Sequence, residues 1–288
     1  MALDSMEEIF QRIEAEQKPF WQVVRDTDVE ERQVTAEASQ AKMRTAWRAM
    51  LDSVETYEGD RRSVSGLVGG DGGKMRAYAQ TGRALCGPYL QEVVATALCV
   101  GESNACMRKI VAAPTAGACG VLPAVLVPLY RRGEADEAAI VQALYVAAGI
   151  GAVVGYRACI AGAAGGCQAE IGTASAMAAG ALASLRGGGP EQIGHAAAMA
   201  LKNLLGLICD PVAGLVEVPC VKRNVVGAVN AVSCADMALA GGTSRVPVDQ
   251  VIDCMGDVGK RMPVEFRETA QGGLAATPFG RRVKEEME

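Results

Sequence analysis

Ten cysteines and a single histidine are the side chains of this 288-residue sequence best suited to holding a metal. Cys86, Cys99, Cys106, Cys119, Cys159, Cys167, Cys209, Cys220, Cys234 and Cys254 are spread along the chain, and no CxxC pair occurs. That spacing argues against a zinc ribbon or a thioredoxin-like motif, so any metal site must be assembled by the fold from distant positions. Three thiols stand in turn-rich surroundings. Cys167 follows five Gly and Ala residues in GAAGGCQAEIG (162–172), which leaves its sulfur approachable by something bulky. Cys209 and Cys220 lie eleven residues apart in CDPVAGLVEVPCVKRN (209–224), one before a proline turn and one after Pro219, with Lys222 and Arg223 following. Thiols on rigid turns beside cations make a candidate metal or anion site. A free cysteine is also commonly a small buried hydrophobe, and at this level both readings stay open.

Two further stretches are unlike ordinary core. In VAAPTAGACGVLP (111–123) a Pro-Thr-Ala-Gly turn opens an apolar helix. A helix start offers free N–H groups and a positive dipole end suited to a carboxylate, although Thr115 would serve equally as a simple cap. In SVSGLVGGDGGK (63–74), five glycines and two serines in twelve residues read as a loop. It could present backbone N–H groups to an anion or be a plain linker. It is not a phosphate-binding Walker loop, because Met75 follows Lys74 where Ser or Thr is required. His195, in PEQIGHAAAM, reads as a surface or packing residue.

These residues must be positioned by helices. Half of the sequence is hydrophobic, Ala and Gly dominate, β-branched alternation is absent and strand signals are few. Small side chains let helix backbones approach closely, so the expectation is an all-α, compact multi-helix domain with Gly-rich loops forming the site. Met6, Ile9, Phe10 and Ile13 mark an amphipathic first helix capped by Asp4 or Ser5. A second helix is expected over 34–57, then helices near 88–101, 103–112, 117–130, 134–156, 168–186, 190–207, 224–241 and 248–261. Residues 1–60 read as peripheral helices and 61–288 as the core of one domain. The net charge of −5 and only 4% aromatic residues argue against nucleic acid or an anionic membrane as partner. Ala138 to Tyr156 is uncharged for nineteen residues, but its Gly and Ala content and nearby Arg157 and Glu170 favour a buried core helix over a membrane span. The acidic start lacks a secretory pattern, so a reducing, cytoplasmic setting is expected for the thiols.

The strings SGLVGGDGGKM (65–75), SNACM (103–107), APTAGACGVLPA (113–124), GGCQAEIG (165–172), ALKNLLGLICDPVAGLVEVPCVKRNVVGAVNA (200–231) and RETAQGGLAATPFG (267–280) occur in this order. Over nearly its whole length the chain resembles the alpha chain of the iron–sulfur-dependent L-serine dehydratases. The resemblance implies an almost wholly helical fold and a [4Fe-4S] cluster held by Cys167, Cys209 and Cys220, with no pyridoxal phosphate. It implies β-elimination of water from L-serine to give pyruvate and ammonia. It points to Ser65, Gly66, Asn104, Thr115, Lys222 and Arg223 for substrate binding, with the base open between Lys222, Ser65 and a partner group. The other seven cysteines are read as core residues or lie off the ligand positions. A separate beta chain is expected, since the alpha portion takes up the 288 residues, and an oligomer with it. The rival readings are an iron–sulfur L-cysteine desulfidase and a non-catalytic cluster carrier.

Overall fold

The computed structural model describes residues 3–288, which contain thirteen α-helices and no β-strand. They are α1 (Met6–Glu16), α2 (Phe20–Arg32), α3 (Ala36–Glu55), α4 (Asp71–Ala79), α5 (Pro88–Ala105), α6 (Val121–Arg131), α7 (Glu137–Arg157), α8 (Gly162–Gly165), α9 (Thr173–Leu185), α10 (Pro190–Lys202), α11 (Cys220–Leu239), α12 (Val248–Arg261) and α13 (Pro278–Met287). Local chemistry sets many of the starts. Ser5, Thr35, Asp136 and Thr277 each accept a backbone N–H three residues on. Pro88, Pro190 and Pro278 occupy first positions, where the missing N–H costs nothing.

At the centre lies α9, every residue from Thr173 to Ala183 buried, surrounded by α6, α7, α10 and α11. Its small residues make this possible: a methyl on Gly180 would lie 2.2 Å from Ile150 Cδ1, so α7 and α9 could not meet as they do with a larger side chain. The uncharged run in α7 is indeed core, with Ile140, Leu144, Ile150 and Val154 buried, although the helix is long and apolar enough to cross a membrane. The first three helices bury Met6, Ile9, Phe20, Val23, Trp47 and Met50 in the same hydrophobic cluster.

Several elements depart from expectation. The segment 34–57 does form a helix, but α2 precedes it and α13 closes the chain, neither anticipated. The helix expected at 103–112 does not exist. Instead α5 continues to Ala105, and Met107, with φ of 60°, turns the chain out; Arg108 N–H donates back to Ser103 O at 2.8 Å, closing the helix end. The Gly-rich stretch is a loop only as far as Gly70. There α4 begins, because the carboxylate of Glu102 in α5 accepts the N–H groups of Asp71 (2.8 Å) and Gly72 (3.2 Å) and caps it from outside. Cys106, Cys119 and Cys159 lie in turns beside helices rather than within them.

Candidate functional site

Each of the three turn-borne cysteines is fixed by a different device. Gly166, at φ of 75°, turns the chain out of α8, and Cys167 then opens a π-turn, Gln168–Gly172, that leads into α9. Such turns recur at functional sites. The fully buried Gln168 anchors it, accepting from Gly206 N–H at 2.9 Å and donating to Met255 O at 3.1 Å. Cys209 is clamped by its backbone: its N–H donates to Phe266 O at 2.8 Å, and its O accepts from Glu268 N–H at 2.9 Å. The C-terminal segment is thereby laid along the cysteine turn. Cys220 starts α11, where Asn224 Nδ2 donates to Cys220 O at 3.0 Å and to Gly117 O at 2.8 Å, and Gly120 N–H donates to Asn224 Oδ1 at 2.8 Å. That one side chain ties the 113–120 turn to the Cys220 helix.

All three thiols are buried and act on one another's charge. Cys167 and Cys209 act most strongly on each other. Cys209 is pushed far up by Cys167 and by burial, while Cys167 is held below the ordinary thiol range by Cys209 and by Arg223. Burial pushes Cys220 up to about 12, with Cys167 adding to it. Arg223 lies one helical turn beyond Cys220; its guanidinium donates to Ile208 O and to Asp210, both at 2.8 Å, and reaches the Cys167 thiol. The buried Asp210 also accepts Leu274 N–H at 2.8 Å. The charge of Glu170 acts on all three thiols, and burial holds its carboxyl above the usual range. Thr115 lies beside it, with its Oγ1 out of water and in no hydrogen bond, as is Arg267 Nε.

Among the described residues, no group of three or more His, Cys, Asp or Glu side chains meets at a point fit for one metal ion. A cluster is a different demand, since each thiolate binds its own iron and the sulfurs must stand around a volume. Three buried thiols on three separate segments, with an arginine to offset their charge and Gly162 packed without a side chain against Cys209, match that donor chemistry.

Of the remaining sequence candidates, Asn104 donates to Ala116 O at 3.1 Å and so braces the Thr115 turn. Ser65 stands on the neighbouring loop, where its hydroxyl and that of Ser63 (2.6 Å) both donate to the buried carboxylate of Glu217. Gly66 N–H is already bonded to Ser63 O at 3.0 Å. The loop's N–H groups thus do bind carboxylates, but those of Glu217 and Glu102. Lys222 points away from Arg223 and is exposed, its Nζ 2.8 Å from Asp71, which Lys74 also meets at 2.9 Å. His195 is half-buried and lines a cleft of about 360 Å³ with Phe10, Glu191 and Arg245.

Sequence reasoning missed Glu170, Glu217, Glu102, Asp210 and Asn224. Each is a polar residue inside an apolar stretch, which is the signal that could have found them. The other thiols lie elsewhere: Cys234 against Asn203 and Asn230, Cys119 facing Val100 O, Cys99 under Gly72, and Cys86 and Cys254 exposed.

Residues 15–275 match the family described as serine dehydratase alpha chain. The chain belongs to that family. It is 52% identical over 225 residues to the probable L-serine dehydratase, alpha chain, of Bacillus subtilis (strain 168), covering 78% of this chain and 75% of that one. It is 43% identical over 221 residues to the L-serine dehydratase, alpha chain, of Peptoniphilus asaccharolyticus, covering 77% and 76%. To L-serine dehydratase TdcG of Escherichia coli (strain K12) it is 47% identical over 181 residues, 62% of this chain but 40% of that longer one. All three turn-borne cysteines fall within the family match, as do Thr115, Glu170 and Glu217.

Proposed function

We propose that this chain is the cluster-binding part of an iron–sulfur-dependent L-serine dehydratase, converting L-serine to pyruvate and ammonia in the cytoplasm together with a separate beta chain. The observation that carries the reading is the gathering of Cys167, Cys209 and Cys220, from three distant segments, into one buried site with Arg223. These thiols would hold a [4Fe-4S] cluster. With three protein ligands, such a group leaves one iron able to polarise the substrate hydroxyl, otherwise a poor leaving group.

The chain's own residues supply the rest. Arg223 offsets the charge of the thiolates while bonded to the backbone and to Asp210. The Thr115 hydroxyl, unpartnered in the folded chain, and the N–H groups that open its turn receive the substrate carboxylate, with Asn104 holding the turn in place. Ser65 is the candidate to take the α-proton. Glu217 behind it draws on the hydroxyl proton and can accept it as Ser65 takes the one from substrate. The enamine that results hydrolyses to pyruvate and ammonia. Val64, Leu67 and Met107 are exposed on and beside the Ser65 loop, an apolar border fit for a covering beta chain. Enclosure would exclude water and strengthen every charge in the site.

The test is an anaerobic iron and sulfide count with pyruvate assays from L-serine and from L-cysteine, with and without the beta chain. The expected result is about four irons and four sulfides per chain and serine-dependent pyruvate that rises steeply with the partner. Pyruvate from cysteine alone would establish the desulfidase, and a loaded but inert complex would establish a carrier.

A further inference from the structure

Three glutamates are drawn into this half of the molecule, and two are fully served. Glu102 accepts from Tyr57 (2.5 Å), Asp71 N–H and Gly72 N–H. Glu217 accepts from Ser63, Ser65 and the Ser65 N–H (3.5 Å). Glu170 has no cation partner among the described residues and only the Thr115 hydroxyl beside it as a donor, although its charge acts on three thiols that would themselves be negative as ligands. A carboxylate withdrawn from water without a partner is costly. Two glycine backbones approach it closely. Gly117 flanks it, where a methyl would stand 3.3 and 3.4 Å from its two oxygens. On another side, a methyl on Gly162 would lie 2.9 Å from Glu170 Oε2, 3.1 Å from Cys209 Sγ and 3.2 Å from Glu268 Oε2. Two carboxylates and a thiol therefore border one point occupied only by a glycine hydrogen. The Thr115 hydroxyl, also unpartnered, lies beside the same carboxylate.

We propose that Glu170, seconded by Glu268, receives the ammonium group of the substrate and so makes the site selective for free α-amino acids. The inference rests on the reading of the site as a serine site and adds the residue that recognises the amine. An α-amino acid carries its carboxylate and ammonium on one carbon. Thr115 and Glu170, side by side with opposite hydrogen-bonding needs, suit those two groups. An ammonium also supplies the positive charge that the Glu170 side of the site lacks, where Arg223 is committed to Asp210, Ile208 O and Cys167.

The experiment uses the cluster-loaded complex with its beta chain and the variant Glu170→Gln, with iron content and helical circular dichroism confirmed. L-alanine cannot lose water, and propionate is the same molecule without the ammonium. Ligand-observed NMR titration should show L-alanine binding weakened about tenfold or more in the variant, with propionate bound at least as tightly as before. For L-serine, KM should rise about tenfold with kcat changed far less. Glu268→Gln, which keeps the exposed side chain's size and its backbone bond to Cys209, should show the same selective loss at about threefold. Equal weakening of both ligands, or an unchanged KM in both variants, would overturn the assignment. Failure of the reading beneath it looks different: the wild-type complex would lack iron or make no pyruvate from serine.

Discussion

The Ser65 loop, met by Glu217, and the cysteine site, which holds Cys209 and Cys220, share the segment 209–220, yet they treat buried polar groups in opposite ways. On the loop side every carboxylate drawn inside is met by hydroxyls and N–H groups of the chain itself, so Glu217 and Glu102 act as rivets. On the cysteine side, Thr115 Oγ1 and Arg267 Nε are left without partners, and Glu170 has no cation to meet its charge. Unsatisfied buried groups destabilise a fold unless something else meets their needs. The contrast separates groups that hold the structure from groups that await a ligand, and it can be tested from both sides.

The largest effect should come from the thiols. Replacing Cys167, Cys209 or Cys220 by Ser should abolish stoichiometric iron and lower serine-dependent pyruvate more than about 1000-fold, since Lewis-acid help is worth several kcal/mol and each 1.36 kcal/mol is tenfold. Cys119→Ser and Cys234→Ser should retain their iron. If one of the three variants kept full iron and activity, that residue would not be a ligand.

Next come the rivets. Glu217→Gln replaces one acceptor oxygen with an NH₂ that faces two serine hydroxyls, and should cost about 1–3 kcal/mol of stability in chemical denaturation. It should also lower kcat with KM little changed, because Ser65 loses its proton acceptor. A variant as stable as the parent would place Glu217 among the waiting groups instead.

Thr115→Val should behave in the reverse sense. Removing a buried, unpartnered hydroxyl should leave stability unchanged or raise it by up to about 1 kcal/mol. KM for serine should rise about fivefold, the worth of one hydrogen bond, with the cluster absorbance intact. Lost stability with unchanged kinetics would make Thr115 a structural residue.

How much of this was legible beforehand follows from the kind of interaction involved. The helices with uninterrupted apolar faces, α7, α9, α10 and α12, could be read because burial leaves a pattern in the residues themselves. The unusual setting of Cys167, Cys209 and Cys220 was legible because Gly and Pro mark turns locally. The capping of α4 by Glu102, thirty-one residues from Asp71, was not, because a cap supplied from another helix leaves no mark in its neighbourhood. Glu170 was hidden for the same reason. Its meaning lies in Gly117, Gly162 and Glu268, brought to it only by the fold. Lys222 and Arg223 show how far adjacency misleads. Neighbours on a helix point about 100° apart, and here one enters the thiol site while the other turns to Asp71.

That last pair gives the smallest predicted effect and the sharpest use of it. Lys222 and Lys74 hold the Asp71 carboxyl down at about 2, from an ordinary value of 3.8. A carboxyl depressed in the folded state adds stability that is fully present above its unfolded pKa and is lost as pH falls through the folded one. The Asp71 pairs should therefore stabilise α4 at neutral pH and cease to do so between about 4 and 2. Lys222 is largely exposed, so solvent screening keeps its share below about 1 kcal/mol. Lys222→Met should accordingly lower stability slightly at pH 7, lose that deficit at pH 2, and raise the Asp71 pKa seen by NMR. If Lys222 is only this tether, pyruvate formation in the variant should stay within a few-fold of the parent. If it removes the α-proton, kcat should collapse by about 100-fold or more at an unchanged cluster count. The second outcome would move the base from the Ser65–Glu217 pair to the lysine, and Glu217 would keep only its place among the rivets.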